Sequence, residues 1–183
     1  AQIVLLNDVN GPLGFSRYAG PYRVATELRN NGYQVQVIEF FGDMNETELA
    51  KIVETHIDNH TLFVGLAATL WGKSLNFDEN KKLWNTKPLG GLRHQLNVLT
   101  DLFPHDDSIM RYFFSLIKSK NPKTKIVVGG YKALARPFEL VDYWILGQGE
   151  RSTLALANHL KSGSPIKVLE TELGNVMTDR MYP

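Results

Sequence analysis

The chain has 183 residues, 43% of them hydrophobic and 21% charged, with a formal net charge of +1 and no cysteine. That is the make-up of one ordinary globular domain with a sizeable core; its near-neutral charge speaks against a dedicated nucleic-acid or anionic-membrane surface, and no stretch approaches the roughly 18 apolar residues of a membrane span. Without cysteine, disulfides, thiolate zinc sites and cysteine-held iron–sulfur clusters are excluded within these residues, and a chain that enters a strand pattern at Ile3, with no room for a signal peptide, is expected in the cytoplasm.

Ile3–Leu6 is a continuous apolar run and reads as the first strand. Residues 7–20 (NDVNGPLGFSRYAG) are dense in Asn, Asp, Gly and Pro and read as loop. Tyr22–Asn31 places Val24, Ala25 and Leu28 on one helical face, with Asn31-Gly32 as the stop. Tyr33–Ile38 alternates like a strand, with Tyr33, Val35 and Val37 sharing a face. Asn45–Asp58 begins with an Asn cap and spaces Leu49, Ile52, Val53 and Ile57 as a helix. Thr61–Ala68 is the third strand, with Gly65 in its middle, and Ser108–Lys120 is an amphipathic helix ended by Asn121-Pro122.

Two glycine turns follow, each closing a short apolar run. Lys125–Val128 runs into Gly129-Gly130, and Tyr143–Leu146 runs into Gly147-Gln148-Gly149-Glu150, after which Ser152–Ser162 reads as a helix. Strand–helix order repeated about five times predicts a doubly wound, mostly parallel five-stranded sheet of flavodoxin-like or Rossmann-like α/β type. In such sheets ligands sit beyond the carboxyl ends of the strands, and glycine there lets backbone approach a bulky ligand closely. Trp71–Pro104 exceeds the minimal pattern and reads equally as a ligand-covering insertion or a surface excursion. Pro165–Pro183 carries one short strand pattern, Ile166–Leu169, then loses periodicity and reads as a linker. The expected organisation is a domain over residues 1–164, with an insertion at 71–104, and a linker over 165–183.

Catalytic and phosphate-binding signatures are sparse. Gly11, Gly14 and Gly20 match neither GxGxxG nor GxxxxGK[ST] spacing. Asp8 with Lys132 resembles only part of a phospho-acceptor set, and no Ser lies in a G-x-S-x-G elbow. His56 and His60 flank a helix end, where dipole or solvent contact is the commoner role than metal ligation. Glu150 reads as a general base or, better, as a carboxylate accepting N–H groups at the start of the following helix.

Taken in order, IVLLN with its Gly/Pro loop, GPYRVATELRNNGYQVQVIEF, FVGLAAT, IKSKNPKTKIVVGGYKA and VDYWILGQGERSTLALANHL resemble the N-terminal cobalamin-binding domain of cobalamin-dependent radical S-adenosylmethionine (SAM) enzymes. The resemblance covers roughly Gln2–Gly163 apart from the insertion. In that family the last segment reads aspartate, hydrophobics, then GEGE; here Gln148 replaces the first glutamate and Glu150 keeps the second.

The resemblance implies a cofactor site formed by Asn7, Asn10, Gly14, Phe15 and Ser16 in the first loop, by Thr69 and Leu70, by Gly129, Gly130 and Tyr131, and by Gly147, Gln148, Gly149 and Glu150. Gly129 and Gly130 would admit the cofactor's nucleotide tail, and Thr69 would offer a hydroxyl. Carriers that ligate cobalt use Asp-x-His-x-x-Gly after the first strand; this chain has Asn10 where the histidine would stand. Asparagine is a poor cobalt donor beside imidazole, so no protein histidine from this loop, and no other metal ligand, is expected. The implied function is the non-catalytic, cobalamin-holding part of a methyltransferase-type enzyme that transfers a methyl group from methylcobalamin. A C-terminal radical SAM domain in cis would carry the [4Fe-4S] cluster and S-adenosylmethionine, neither bound by this chain. Two other readings stay open: a cobalamin-free domain of the same fold used for substrate or partner recognition, and a flavin- or nucleotide-binding enzyme.

Overall fold

The computed structural model describes residues 1–7, 19–39, 44–67, 108–130, 138–171 and 174–182. Their elements, in chain order, are β1 (Ile3–Leu6), α1 (Ala19–Asn30), β2 (Val35–Ile38), α2 (Glu46–His56), β3 (Phe63–Ala67), α3 (Ser108–Lys120), β4 (Lys125–Gly130), β5 (Tyr143–Leu146), α4 (Glu150–Ser162), β6 (Leu169–Thr171), β7 (Gly174–Thr178) and a 3-10 turn (Asp179–Met181). None of the described helices is long and apolar enough to cross a membrane.

The strands form one seven-stranded sheet in the order β2-β1-β3-β4-β5-β7-β6. Every pairing is parallel except β6 with β7. The α/β fold is thus the doubly wound, Rossmann-like arrangement expected, and its first five strands follow the flavodoxin-like order 2-1-3-4-5. The chain reverses direction across the sheet between β1 and β3, the switch point at which such folds open a crevice.

Alternation along the strands sorts the core into two layers. Val4, Leu6, Val64, Leu66, Ile126, Val128 and Trp144 face α2 and α3, where Leu49, Ile52, Phe113, Phe114 and Ile117 meet them. Ile3, Leu5, Phe63, Val127, Ile145 and Met177 face α1 and α4, packing on Ala25, Leu28, Leu156 and Ala157. Local signals set several boundaries. Asn45 accepts the Glu48 N–H at 3.0 Å while Glu48 accepts the Asn45 N–H at 2.9 Å, a complete capping box that starts α2.

The sheet has seven strands where the sequence predicts five, because two come from the stretch read as linker. Residues Leu169–Thr171 and Gly174–Thr178 form a hairpin whose second strand pairs with β5, Leu146 facing Thr178. This pattern hides from periodicity for two reasons. In β7 the consecutive Val176 and Met177 are both buried, one in each core layer, so no alternation marks the strand; in β6 all three residues are exposed. Residues 71–104 lie outside the described residues.

The aspartate that heads the glycine motif, Asp142, works at the opposite end of the sheet from the glycines. Its carboxylate accepts from Lys118 Nζ at 2.7 Å, Lys125 Nζ at 2.9 Å and the Ile126 N–H at 2.8 Å, tying α3, β4 and β5 together. Burial pushes this carboxyl upward, but the hydrogen bonds from Lys118, the Ile126 amide and Lys125 outweigh it and hold it below the usual carboxylate range.

Asp142→Asn should therefore lower the unfolding free energy at pH 7 by about 2 kcal/mol in urea denaturation. Since the folded carboxyl titrates below the ordinary value of about 3.9, its contribution is complete above that pH and is lost as pH falls through the folded value. The gap between wild type and variant should close in acid, and a gap of constant size down to full protonation would contradict the clamp.

Candidate functional site

On the α1/α4 face the strand register sets two glycines diagonally across the adjacent strands β3 and β4. Leu5 pairs with Gly65, Gly65 with Val127, Ala67 with Gly129, and Gly129 with Ile145. Where neighbouring strands carry full side chains, Gly65 and Gly129 carry none and Ala67 a single methyl. The result is an apolar trough of about 240 Å³ at the carboxyl ends of β1, β3, β4 and β5. Leu5, Phe63, Val127 and Ile145 form its floor and walls; Ala19, Gly20, Pro21 and Val24 of α1 close one side, and Gln148, Gly149 and Thr153 the other. Its position is the switch point between β1 and β3.

The glycines are there for different reasons. A Cβ on Gly65 would lie 2.7 Å from Leu5 Cδ2, the tip of a side chain able to turn aside. On Gly129 it would lie 3.0 Å from the Ile145 carbonyl oxygen and 3.2 Å from Ile145 Cβ, so a side chain there would have to push the backbone of β5 aside. Gly147 and Gly149 take φ of 95° and 90°, left-handed values that disfavour any side chain. The motif's glycines thus shape the corner in which β5 turns into α4.

The start of α4 departs from expectation. Its N-cap is Gly149, which has no side chain to cap the helix. Glu150 does not cap it either, which corrects the expectation from sequence: as the first helical residue it reaches across to α1, where Oε1 pairs with Arg23 Nη2 at 2.8 Å. Its other oxygen, Oε2, is buried and receives no hydrogen bond from the described residues. The cap comes from Asp179, at the end of β7. Asp179 Oδ1 accepts the Ser152 N–H at 2.9 Å and the Ser152 hydroxyl at 2.6 Å. Two carboxylates therefore stand at the amino end of α4, where a nucleotide-binding domain would offer free N–H groups to phosphate; this opposes the flavin- or nucleotide-binding reading at that helix.

Of the residues expected at the site, Gly129, Gly130, Gln148 and Gly149 line this trough, and Gly147 sits beside it in the same turn. The turn is joined to β4 by the Gly147 N–H, which donates to the Gly130 carbonyl at 3.3 Å. Asn7 is fully buried just past β1, its N–H donating to Ile38 O at 2.7 Å. Asn10, Gly14, Phe15, Ser16, Thr69, Leu70 and Tyr131 lie outside the described residues, as do Asp8 and Lys132. Sequence reasoning missed Arg23, Ser152 and Asp179. No local pattern links a residue of α1 or of the segment after β7 to the start of α4, although a glycine at the N-cap is a signal that the cap must come from elsewhere.

No protein-family model matches this chain, and no curated protein sequence matches it. Among solved structures, the chain is similar to the radical S-adenosylmethionine methyltransferase TsrM from Kitasatospora setae, solved with its tryptophan substrate and the SAM analogue aza-SAM bound. The TM-score is 0.57 at 19% identity, over 97% of this chain and 30% of that one. At this identity the likeness shows a shared fold, and the chain spans 30% of that protein's length.

The two glycines of the trough should respond differently to alanine. Gly129→Ala presses a methyl on a backbone carbonyl and should cost about 1–3 kcal/mol of stability, whereas Gly65→Ala displaces only the end of Leu5 and should cost less than about 1 kcal/mol. Urea midpoints of the two variants check the order, and equal or reversed losses would contradict the packing described.

Proposed function

We propose that this chain is a cobalamin-holding domain and that the trough between the sheet and the α1/α4 helices receives the cofactor's flat nucleotide base. The observation that carries this reading is the gap left by Gly65 and Gly129 at the β1/β3 switch point. A volume of about 240 Å³ falls short of the ~300–1,000 Å³ of pockets that enclose drug-sized ligands. It suits one planar ring system, leaving a macrocycle to lie outside, across the rim of the sheet. The apolar walls fit an aromatic heterocycle. The ordered sequence segments that resemble cobalamin-binding domains, and the shared fold with a radical SAM methyltransferase, support the same reading.

In this reading Leu5, Phe63, Val127 and Ile145 exclude water from the bound base. Gln148 and Gly149 would border it, and the first loop, with Asn10 where carriers that ligate cobalt have histidine, would offer no imidazole. Bound cobalamin would supply the methyl group for transfer to an unreactive carbon. This chain has no cysteine to hold an iron–sulfur cluster, so in this reading the cluster and S-adenosylmethionine would be carried by a radical SAM domain in cis. The competing reading, a cobalamin-free recognition domain, rests on Gln148 standing where the resembled family has glutamate and on the insertion over residues 71–104.

Gel filtration of the purified chain with hydroxocobalamin separates the two. The cofactor's visible absorbance should co-elute with the protein at tens of micromolar, cobinamide (which lacks the nucleotide tail) should bind at least about tenfold more weakly, and Gly65→Leu, checked for folding by circular dichroism, should lose binding by filling the trough. Absence of co-elution would favour the recognition domain; equal affinity for cobinamide, or for the Leu variant, would remove the trough from the site.

A further inference from the structure

The turn that closes the trough has no cap of its own. Gly147 and Gly149 both adopt left-handed backbone, and Gly149, at the N-cap of α4, cannot supply the side-chain acceptor that ordinarily receives the N–H of the third helical residue. That third residue is Ser152, fully buried, and its N–H and hydroxyl both donate to one oxygen of Asp179. Asp179 is thus a helix cap delivered through space from 27 residues downstream.

Its own position is secured twice. β7 pairs with β5 up to Leu146–Thr178, so Asp179 leaves the sheet beside the strand end from which the glycine turn departs. Beyond it, Tyr182 folds back along α4: its N–H donates to Asp179 O at 3.1 Å, its carbonyl accepts from Arg151 at 3.2 Å, and its hydroxyl bridges the Lys167 N–H and carbonyl at 2.9 and 3.0 Å. Between the two ends of this brace lie Gln148, Gly149 and Thr153, which line one side of the trough.

We infer that Asp179 is a positioning residue for the ligand site: by capping α4 at Ser152 it holds the Gly147–Gly149 turn in the shape that closes the trough. The inference rests on the trough being a ligand site, and the test separates the two. Asp179→Ala removes the acceptor. Asp179→Asn keeps an oxygen there, and Ser152→Ala removes only the hydroxyl bond. Asp142→Asn weakens the fold from the far end of the sheet and serves as the control for stability alone.

In absorbance titrations with hydroxocobalamin, Asp179→Ala should raise Kd about tenfold, Asp179→Asn should stay within about twofold of wild type, and Ser152→Ala should fall between them. Asp142→Asn should leave Kd unchanged. Amide hydrogen exchange gives a readout that needs no ligand: in Asp179→Ala the Gly147, Ser152 and Thr153 amides should exchange faster relative to the central strand amides of Val127 and Val128. If Asp179→Ala binds like wild type, or if Asp142→Asn weakens binding as much, the positioning role is overturned. If wild type itself fails to bind hydroxocobalamin, the cobalamin reading falls, and exchange decides the rest. Faster exchange confined to residues 147–153 then upholds the brace, and unchanged exchange overturns it.

Discussion

The register of three parallel strands is the constraint on which the candidate site depends. Because Leu5 faces Gly65, Gly65 faces Val127 and Ala67 faces Gly129, the residues that withhold side chains fall together on one face, near one rim. A shift of one residue in β3 would turn Gly65 toward α2 and α3 and place a full side chain in the trough. Register here is held by the packed cores on both faces, since every other buried position in these strands has a committed partner layer. The site is therefore a by-product of the same burial that holds the sheet together, and among the described residues its gap comes from Gly65, Ala67 and Gly129.

The segment after α4 has a double function. Its hairpin extends the sheet beyond β5, and the residue that follows β7 caps the helix whose own N-cap is a glycine. A tight glycine turn and a helix cap make opposing demands on position 149. The turn needs a left-handed backbone without a side chain, whereas the cap needs a side-chain oxygen. Supplying the oxygen from Asp179 resolves the conflict. The same arrangement frees Glu150 to join α4 to α1 through Arg23, so the two helices flanking the trough are linked to each other as well as to the sheet.

Most of the scaffold was legible from the chain itself. The five parallel strands, the alternation of Tyr33, Val35 and Val37, and the capping box at Asn45 each follow from local periodicity or a local side-chain bond. So do the glycines as a cluster at the sheet's rim. What escaped was non-local. Consecutive burial of Val176 and Met177 in opposite layers carries no period, and the bond from Ser152 to Asp179 has no sequence spacing that would announce it. Glu150 was misjudged because an acidic residue in a first helical turn satisfies the helix dipole whether or not it caps, and an arginine on another helix competed for it. The trough itself needed register: Gly65 and Gly129 are separate punctuation marks in the sequence and become one feature only when β3 and β4 are aligned.

A crystal structure of the chain grown with hydroxocobalamin addresses the trough most directly. The base of the nucleotide tail should lie against Gly65 and Gly129, walled by Leu5, Phe63 and Ile145, with the corrin ring outside the sheet's carboxyl rim. Cobalamin seated elsewhere, or a trough filled by the protein's own side chains, would contradict it.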